Sequence, residues 1–425
     1  MLQSLPSVGS TAAPAEIPVS SPPAAATYSS GRKFAVLAIL LLSWILANAD
    51  RQAMSISIVP IAKEFGLSPE GSGWVLSSFY FSYALMQLGA GWLSDRFGSR
   101  RILVFSVACW SILTSLTGVA GTLGVLLLVR LLFGAGEGGF VPASTVTVAE
   151  AFPKKERARA KSLVIGASFI GSAIGTSGIA ALIHAYGWRM AYHAFGAFGV
   201  VVAVAIWFSV KSAPRRPRTA HTASFRTLFA SPVLRKTMFV FFFSNIVYVG
   251  LISWMPTYLM KTRGIDIVHV GTASAIPYLV AFGALNIVGW LLDKVGQGRE
   301  RLFMCVGATM VIGFLVTMAF ADSLVLLLTF WTLCLVGYTA IYGTVFVIPL
   351  KHLPDESVGT AAGIINFGGQ VAAAIGPVAI GYLVGATPGS YALALGFLVL
   401  AGLGALLVSA TWRVSGPAAA HRQEA

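Results

Sequence analysis

Gly91-Trp92-Leu93-Ser94-Asp95-Arg96-Phe97-Gly98 closes one long apolar stretch of the chain, and Gly289-Trp290-Leu291-Leu292-Asp293-Lys294-Val295-Gly296 closes another, 198 residues later. Glycine, acid, base and glycine recur in register. A fainter echo pairs Ala173-Ile174-Gly175 with Ala374-Ile375-Gly376. A loop that returns once, half a chain later, implies two equivalent halves related by a pseudo-twofold axis. What those halves are made of follows from the stretches on either side.

The 425 residues are 56% hydrophobic and only 10% charged, whereas about a quarter of an ordinary soluble domain is charged. So little charge cannot cover a water-exposed surface of this size, and lipid is the solvent that accepts the rest. Apolar stretches long enough to cross a bilayer fall at approximately 34–58, 72–93, 101–119, 122–149, 161–184 and 189–210, then at 237–260, 270–293, 302–320, 323–349, 357–384 and 389–412. The expected fold is therefore an all-α membrane protein of twelve transmembrane helices in two pseudo-symmetric six-helix bundles, 34–210 and 237–412. A polar linker, 211–236, joins them. Residues 1–33 are rich in Pro, Ala and Ser and read as a disordered cytoplasmic tail, and 413–425 as a second, C-terminal cytoplasmic tail.

The formal net charge of +14 invites a nucleic-acid reading, but the basic residues lie in short runs between apolar stretches rather than on one folded surface. Of 29 Lys and Arg, twenty-three fall on one side of the expected membrane, four on the other and two within spans. Such asymmetry places both termini in the cytoplasm. Cys109, Cys305 and Cys334 lie inside apolar segments without metal-ligand spacing, and no metal or cofactor is expected.

Four charges sit within spans: Asp50 and Arg51 in the first, Arg130 and Glu137 in the fourth. Each costs about 2.5–3.5 kcal/mol at the bilayer centre, so they must face the interior and compensate one another. Arg130, Gly134 and Glu137 stand at i, i+4 and i+7 on one helix face, while Asp50 and Arg51 point about 100° apart. Pairing between the two spans follows. Burial favours the neutral form of a carboxyl and a guanidinium favours the charged form, whereas arginine stays charged and offers a planar fork to a carboxylate. Two bases with two protonatable acids make an anion site that gains positive charge when protons bind.

The chain resembles the major facilitator superfamily over residues 34 to 412, whose signature loop Gly-x-x-x-Asp-Arg-x-Gly-x-Arg is matched from Gly91 to Arg100 and extended by Arg101. The resemblance implies a cytoplasmic gating motif of Gly91, Asp95, Arg96, Gly98 and Arg100, with Asp293 as its counterpart. Asp95 would accept hydrogen bonds at neighbouring helix ends, and Arg96, Arg100 and Arg101 would reach carboxylates or headgroups.

Asn48-Ala49-Asp50-Arg51, with Arg130-Leu131-Leu132-Phe133-Gly134-Ala135-Gly136-Glu137-Gly138, is similar to the anion:cation symporter family within it. That family includes bacterial sugar-acid carriers, sialin and vesicular glutamate transporters. The likeness implies proton coupling at Asp50 and Glu137, carboxylate binding at Arg51 and Arg130, and a contact between Arg130 and Glu137. Phe152-Pro153 and Gly187-Trp188-Arg189 are further family-like features. Tyr83, Asn366, Tyr248 and Tyr342 are added as polar candidates for a substrate-lined cavity; Tyr83 and Asn366 resemble contacts of the sugar-acid carriers.

The expected protein is not an enzyme but a monomeric proton symporter that imports a sugar acid such as galactonate, glucarate or hexuronate by alternating access. Its partners are that anion, protons and the bilayer, with no nucleic acid. An aromatic carboxylate importer and a proton-coupled multidrug exporter remain as alternatives. Without an Asn-x-Ser/Thr sequon, the sequence is compatible with a bacterial inner membrane.

Overall fold

The computed structural model describes residues 29–211, 225–296, 298–353 and 355–413. Residues 1–28 of the expected N-terminal tail, 212–224 of the linker and 414–425 of the C-terminal tail lie outside them. Regular structure among the described residues is entirely α-helical. The first half holds α1 (Ser30–Phe65), α2 (Pro69–Phe97), α3 (Ser99–Thr117), α4 (Leu123–Glu137), α5 (Phe140–Ala151) and α6 (Lys154–Ser209). A short α7 (Phe225–Ala230) precedes α8 (Pro232–Thr262), α9 (Ile267–Lys294), α10 (Glu300–Ala319), α11 (Leu324–His352), α12 (Asp355–Ala386) and α13 (Ala392–Ala410).

Ten stretches among the described residues are long and apolar enough to cross a membrane. One of them, Arg159–Ser209, runs through Gly187, whose φ of 79° and ψ of 163° break the helix into two arms. Only glycine adopts that conformation readily, so the chain can reverse direction there without a loop. The serine-rich α2 is not among the ten, yet it packs within the bundle against α4 and α12. Divided at Gly187 and with α2 added, the arrangement is consistent with twelve crossings. Large apolar side chains point outward all round, among them Leu85, Phe105, Phe208, Leu350 and Leu400, each more than 60% exposed, as a lipid-solvated surface requires.

Several helices outrun their apolar stretches. α1 continues to Phe65, α6 begins at Lys154 and α8 begins at Pro232, inside the segment expected to be linker. Hydropathy registers only the residues at bilayer depth, whereas helical hydrogen bonding continues into the polar margin until a cap or proline ends it. Ser68, Thr122, Asp266 and Ser323 supply such caps, each accepting from backbone N–H groups of the following turn.

The Gly187 turn explains Trp188 and Arg189. The Trp188 indole donates to Glu64 Oε2 at 2.7 Å, and Arg189 reaches both Glu64 oxygens at 2.5 and 2.6 Å and the Ala120 carbonyl at 2.9 Å. One carboxylate thus gathers the ends of α1, α3 and the second arm of α6. Those two donors, the indole first, hold the Glu64 carboxyl below its ordinary range. A depressed value in the fold means the contact persists through the usual carboxylate range and is lost only as pH falls through the lowered one.

The halves meet along α2 with α12 and along the first arm of α6 with α9. Both seams are tightest at the face opposite the chain ends, where small residues let backbones touch. A Cβ on Gly73 would lie 2.7 Å from the Pro377 carbonyl oxygen, and one on Gly381 would lie 2.7 Å from that of Pro69. Backbone cannot yield as a side-chain tip can, so Gly381→Leu is expected to oppose this closed arrangement by roughly 1–3 kcal/mol. Spin labels placed on α2 and α12 at that face should move apart. An unchanged distance distribution would show that the seam tolerates a side chain.

Candidate functional site

Asp50 and Arg51 lie in mid-α1, and Arg130 and Glu137 lie along α4, which ends at Glu137 where Gly138 and Gly139 interrupt the helix before α5. Successive residues on α1 point apart, and the structure resolves the two accordingly. Arg51 turns toward α4 and donates from Nη2 to Glu137 Oε1 in a part-buried ion pair. Asp50 turns toward α3, where its Oδ2 accepts from the Thr114 hydroxyl at 3.3 Å. Its Oδ1 and Glu137 Oε2 are buried without a hydrogen-bond partner among the described residues.

Arg130 is the outlier of the four. Its side chain is 3% exposed, and among the described residues its guanidinium makes no hydrogen bond or ion pair. Glu137, implied as its partner by the family resemblance, bonds Arg51 instead. Two turns along α4 separate Arg130 from Glu137, whereas Arg51 approaches from a facing helix. What Arg130 meets is aromatic: its guanidinium carbon lies 5.0 Å from the Phe133 ring centroid and 5.5 Å from that of Phe79. Arg51 lies 5.3 Å from Phe79 and 4.8 Å from Tyr83. Phe79 therefore serves both cations, whose attraction to a ring face is stronger away from water.

A narrow cavity separates these groups from the second half. Arg51, Gln52, Tyr80 and Arg130 line it from one side and Ile252 and Ser253 from the other. Its free interior is about 10 Å³, near the minimum that one water molecule needs. That space is too small for an organic acid.

Of the residues singled out from sequence, Asp50, Arg51, Tyr83, Arg130 and Glu137 converge on this cluster. Tyr248 and Tyr342 come from the second half and lie within electrostatic range of Arg51. Tyr248 stacks on Tyr338, centroids 4.3 Å apart and planes within 6°. The Tyr338 hydroxyl donates to Asn245 Oδ1 at 3.0 Å, and Asn245 in turn donates to the Gly369 carbonyl at 2.6 Å. Asn366 accepts from Gln370, one turn along α12, at 3.3 Å and is absent from the cavity wall.

Phe79, Tyr80 and Gln52 are functional neighbours that residue-type reasoning passed over. Gln52 adjoins the Asp50-Arg51 pair, and a third consecutive polar residue in a span was a usable signal. Its Oε1 accepts from the Tyr278 hydroxyl at 3.1 Å, which joins α1 to α9 across the halves beside the site.

The expected gating motif lies at the other end of α2. Gly98 takes φ 87° and joins α2 to α3, and Arg96 and Asp293 are exposed. The side chain of Asp95, like residue 91, lies outside what the structure describes. Arg100, expected to reach a carboxylate or headgroup, donates instead to the Trp207 carbonyl at 2.6 Å and lies 4.1 Å from that indole. It binds α3 to the end of α6 within one half, because the carbonyls of a helix C-terminus attract a cation.

The model of the Major Facilitator Superfamily matches residues 36–377. The chain is 28% identical over 398 residues to "Probable sulfoacetate transporter SauU" of Cupriavidus necator, covering 87% of this chain and 92% of that one. It is likewise 28% identical to "Probable galactarate/D-glucarate transporter GudP" of Escherichia coli, covering 90% and 93%. "Sodium-dependent phosphate transport protein 1, chloroplastic" of Arabidopsis thaliana is 27% identical, covering 83% and 74%. Among solved structures, a bacterial homologue of the human lysosomal transporter Spinster, inward-facing and unoccupied, superposes with a TM-score of 0.80 at 21% identity. That superposition covers 91% of this chain and all of the other.

Proposed function

The chain belongs to the Major Facilitator Superfamily and is a transporter rather than an enzyme; from that premise we propose that it carries a small organic anion across a membrane with protons, by alternating access. The observation that carries this is the asymmetry of two guanidinium groups beside one cavity. Arg51 is neutralised by Glu137, while Arg130 has no hydrogen-bond or ion-pair partner among the described residues. Asp50 and Glu137 act on Arg130 only through space; a buried guanidinium with no hydrogen-bonded acceptor is costly, and a carboxylate entering from the cavity is the group that would complete it.

Coupling follows from the remaining charges. A substrate that draws Arg51 away from Glu137 leaves a buried carboxylate with no counter-charge, which then takes a proton. Asp50, which accepts its one hydrogen bond among the described residues from the Thr114 hydroxyl, is the second proton carrier. Anion and protons are thus taken up and released together, while the halves alternate about the seams of α2 with α12 and of α6 with α9.

The names of relatives, which include sulfoacetate and galactarate or glucarate carriers, support a small acid, and the sugar acids lead. The strong bias of Lys and Arg supports cytoplasmic termini in a bacterial inner membrane. The chain is proposed to act as a monomer, with six-helix bundles at 34–210 and 237–412.

The test is uptake of a radiolabelled organic-acid panel into proteoliposomes, with an inward proton gradient, a sodium gradient or neither. Accumulation of one acid only when the outside is acidic supports proton symport and names the substrate. Accumulation on sodium alone would transfer the coupling to that ion, and no flux of any anion would favour a multidrug exporter. Arg51→Lys is expected to reduce affinity for the acid by about tenfold despite its preserved charge, since the bidentate fork is lost. Unchanged uptake kinetics would exclude a two-point contact at Arg51.

A further inference from the structure

A second and much larger cavity, about 370 Å³, opens on the outside of the first half, away from the charge cluster. Leu93, Phe97, Arg101, Phe105, Ser106 and Gly139 line it, from α2, α3 and the break between α4 and α5. Its wall is nearly all carbon. It faces lipid rather than the seam between halves: Phe105, Ile112 and Leu116, one stripe of α3, are 64%, 53% and 42% exposed. Glycine shapes its floor, because a Cβ on Gly139 would lie 2.9 Å from both the Ile102 side chain and Ser106 Oγ.

A carbon-lined hollow open to the bilayer core does not hold water, which would find almost no partner there, and as a void its lining would lose dispersion contacts. Hydrocarbon must fill it. Which lipid supplies that hydrocarbon is decided at the rim. Among the described residues, Arg101, in the first turn of α3, is the one charged residue in the wall; it is exposed and makes no hydrogen bond or ion pair with them. Its neighbour Arg100 is already engaged by Trp207. From Phe97 at the rim to Met86 in the wall, α2 spans eleven residues, about 16 Å of helix, which suits an acyl chain lying along it.

We infer that this cavity is a binding site for an anionic phospholipid of the bilayer, with one acyl chain between α2, α3 and the α4–α5 break and the headgroup phosphate on Arg101. Such a chain contacts the helix break that carries Glu137 on its inner side.

The experiment reconstitutes the full chain in phosphatidylcholine bilayers containing a small fraction of phosphatidylglycerol with a photoactivatable diazirine in one chain, and maps labelled peptides after illumination. Label should concentrate on residues 86–106 about fivefold over the same probe on phosphatidylcholine, the preference one basic side chain gives at an anionic headgroup. Arg101→Gln should reduce it to the phosphatidylcholine level. Leu93→Trp, which fills the hollow while keeping Arg101, should remove label from these peptides with either headgroup. Equal labelling by both probes, or a preference that survives Arg101→Gln, overturns the anionic site. Label spread evenly over the lipid face overturns the site altogether. Arg101 is exposed, so its replacement keeps the test decisive even if the tryptophan variant fails to fold.

Discussion

An Arg130→Gln transporter, reconstituted and assayed for substrate uptake, is expected to lose at least about a hundredfold in apparent affinity while remaining folded. Truncating one member of a buried, charge-assisted contact costs about 2–5 kcal/mol, and about 2.7 kcal/mol is a factor of a hundred. The contact in question forms only with substrate, because Arg130 has no hydrogen-bond or ion-pair partner among the described residues. Removing it breaks no hydrogen bond or ion pair among the described residues and relieves the cost of a desolvated cation, at the expense of a through-space attraction to Asp50 and Glu137. Thermal unfolding should shift little, which separates lost binding from lost structure. Retained affinity in a folded Arg130→Gln protein would move substrate recognition elsewhere in the cavity.

Glu137→Gln should behave in the opposite way. Here the replaced carboxylate is the partner of Arg51, and the carboxylate is fully buried while Arg51 is part-buried. Breaking a buried ion pair from one side costs about 3–5 kcal/mol, and the glutamine oxygen, which still accepts one hydrogen bond, places this case near the lower figure. The variant should therefore unfold at lower temperature. Its transport should change in kind: substrate exchange down a gradient continues, but accumulation driven by external acid disappears, since the amide carries no exchangeable charge. Asp50→Asn should share the loss of accumulation with a smaller effect on stability, because Asp50 has a hydroxyl and not a cation as its hydrogen-bond partner. Proton-dependent accumulation by either variant would reduce that residue to a structural charge.

The two variants together test a division of labour that no single residue reveals. Arg51 and Arg130 are chemically identical and both adjoin Phe79, yet one is neutralised and the other is not. The paired one links substrate arrival to a proton site, and the unpaired one supplies the attraction. The cavity beside them is smaller than an organic acid, so the proposed uptake requires that cavity to widen.

Much of this was legible along the chain. The repeated loops ending at Gly98 and Gly296, the apolar stretches and the scarcity of charge determined a helical membrane protein of two halves, because bilayer thickness fixes span length and a low-dielectric solvent forbids most charge. The same economy of charge exposed Asp50, Arg51, Arg130 and Glu137: few residues are dear enough in lipid to be conspicuous. Helical spacing put Arg130 and Glu137 on one face and directed pairing to the span-one residues. Phe79 and Tyr80 gave no such signal, since aromatic residues are ordinary in spans. The partners themselves were decided only by tertiary structure. Arg51 rather than Arg130 takes Glu137, Arg100 goes to Trp207, and Asn366 is satisfied by Gln370, because each outcome depends on which helices face one another and how closely glycines let them approach. Composition and periodicity are properties of one helix at a time; a buried charge acquires its role from the helix across from it.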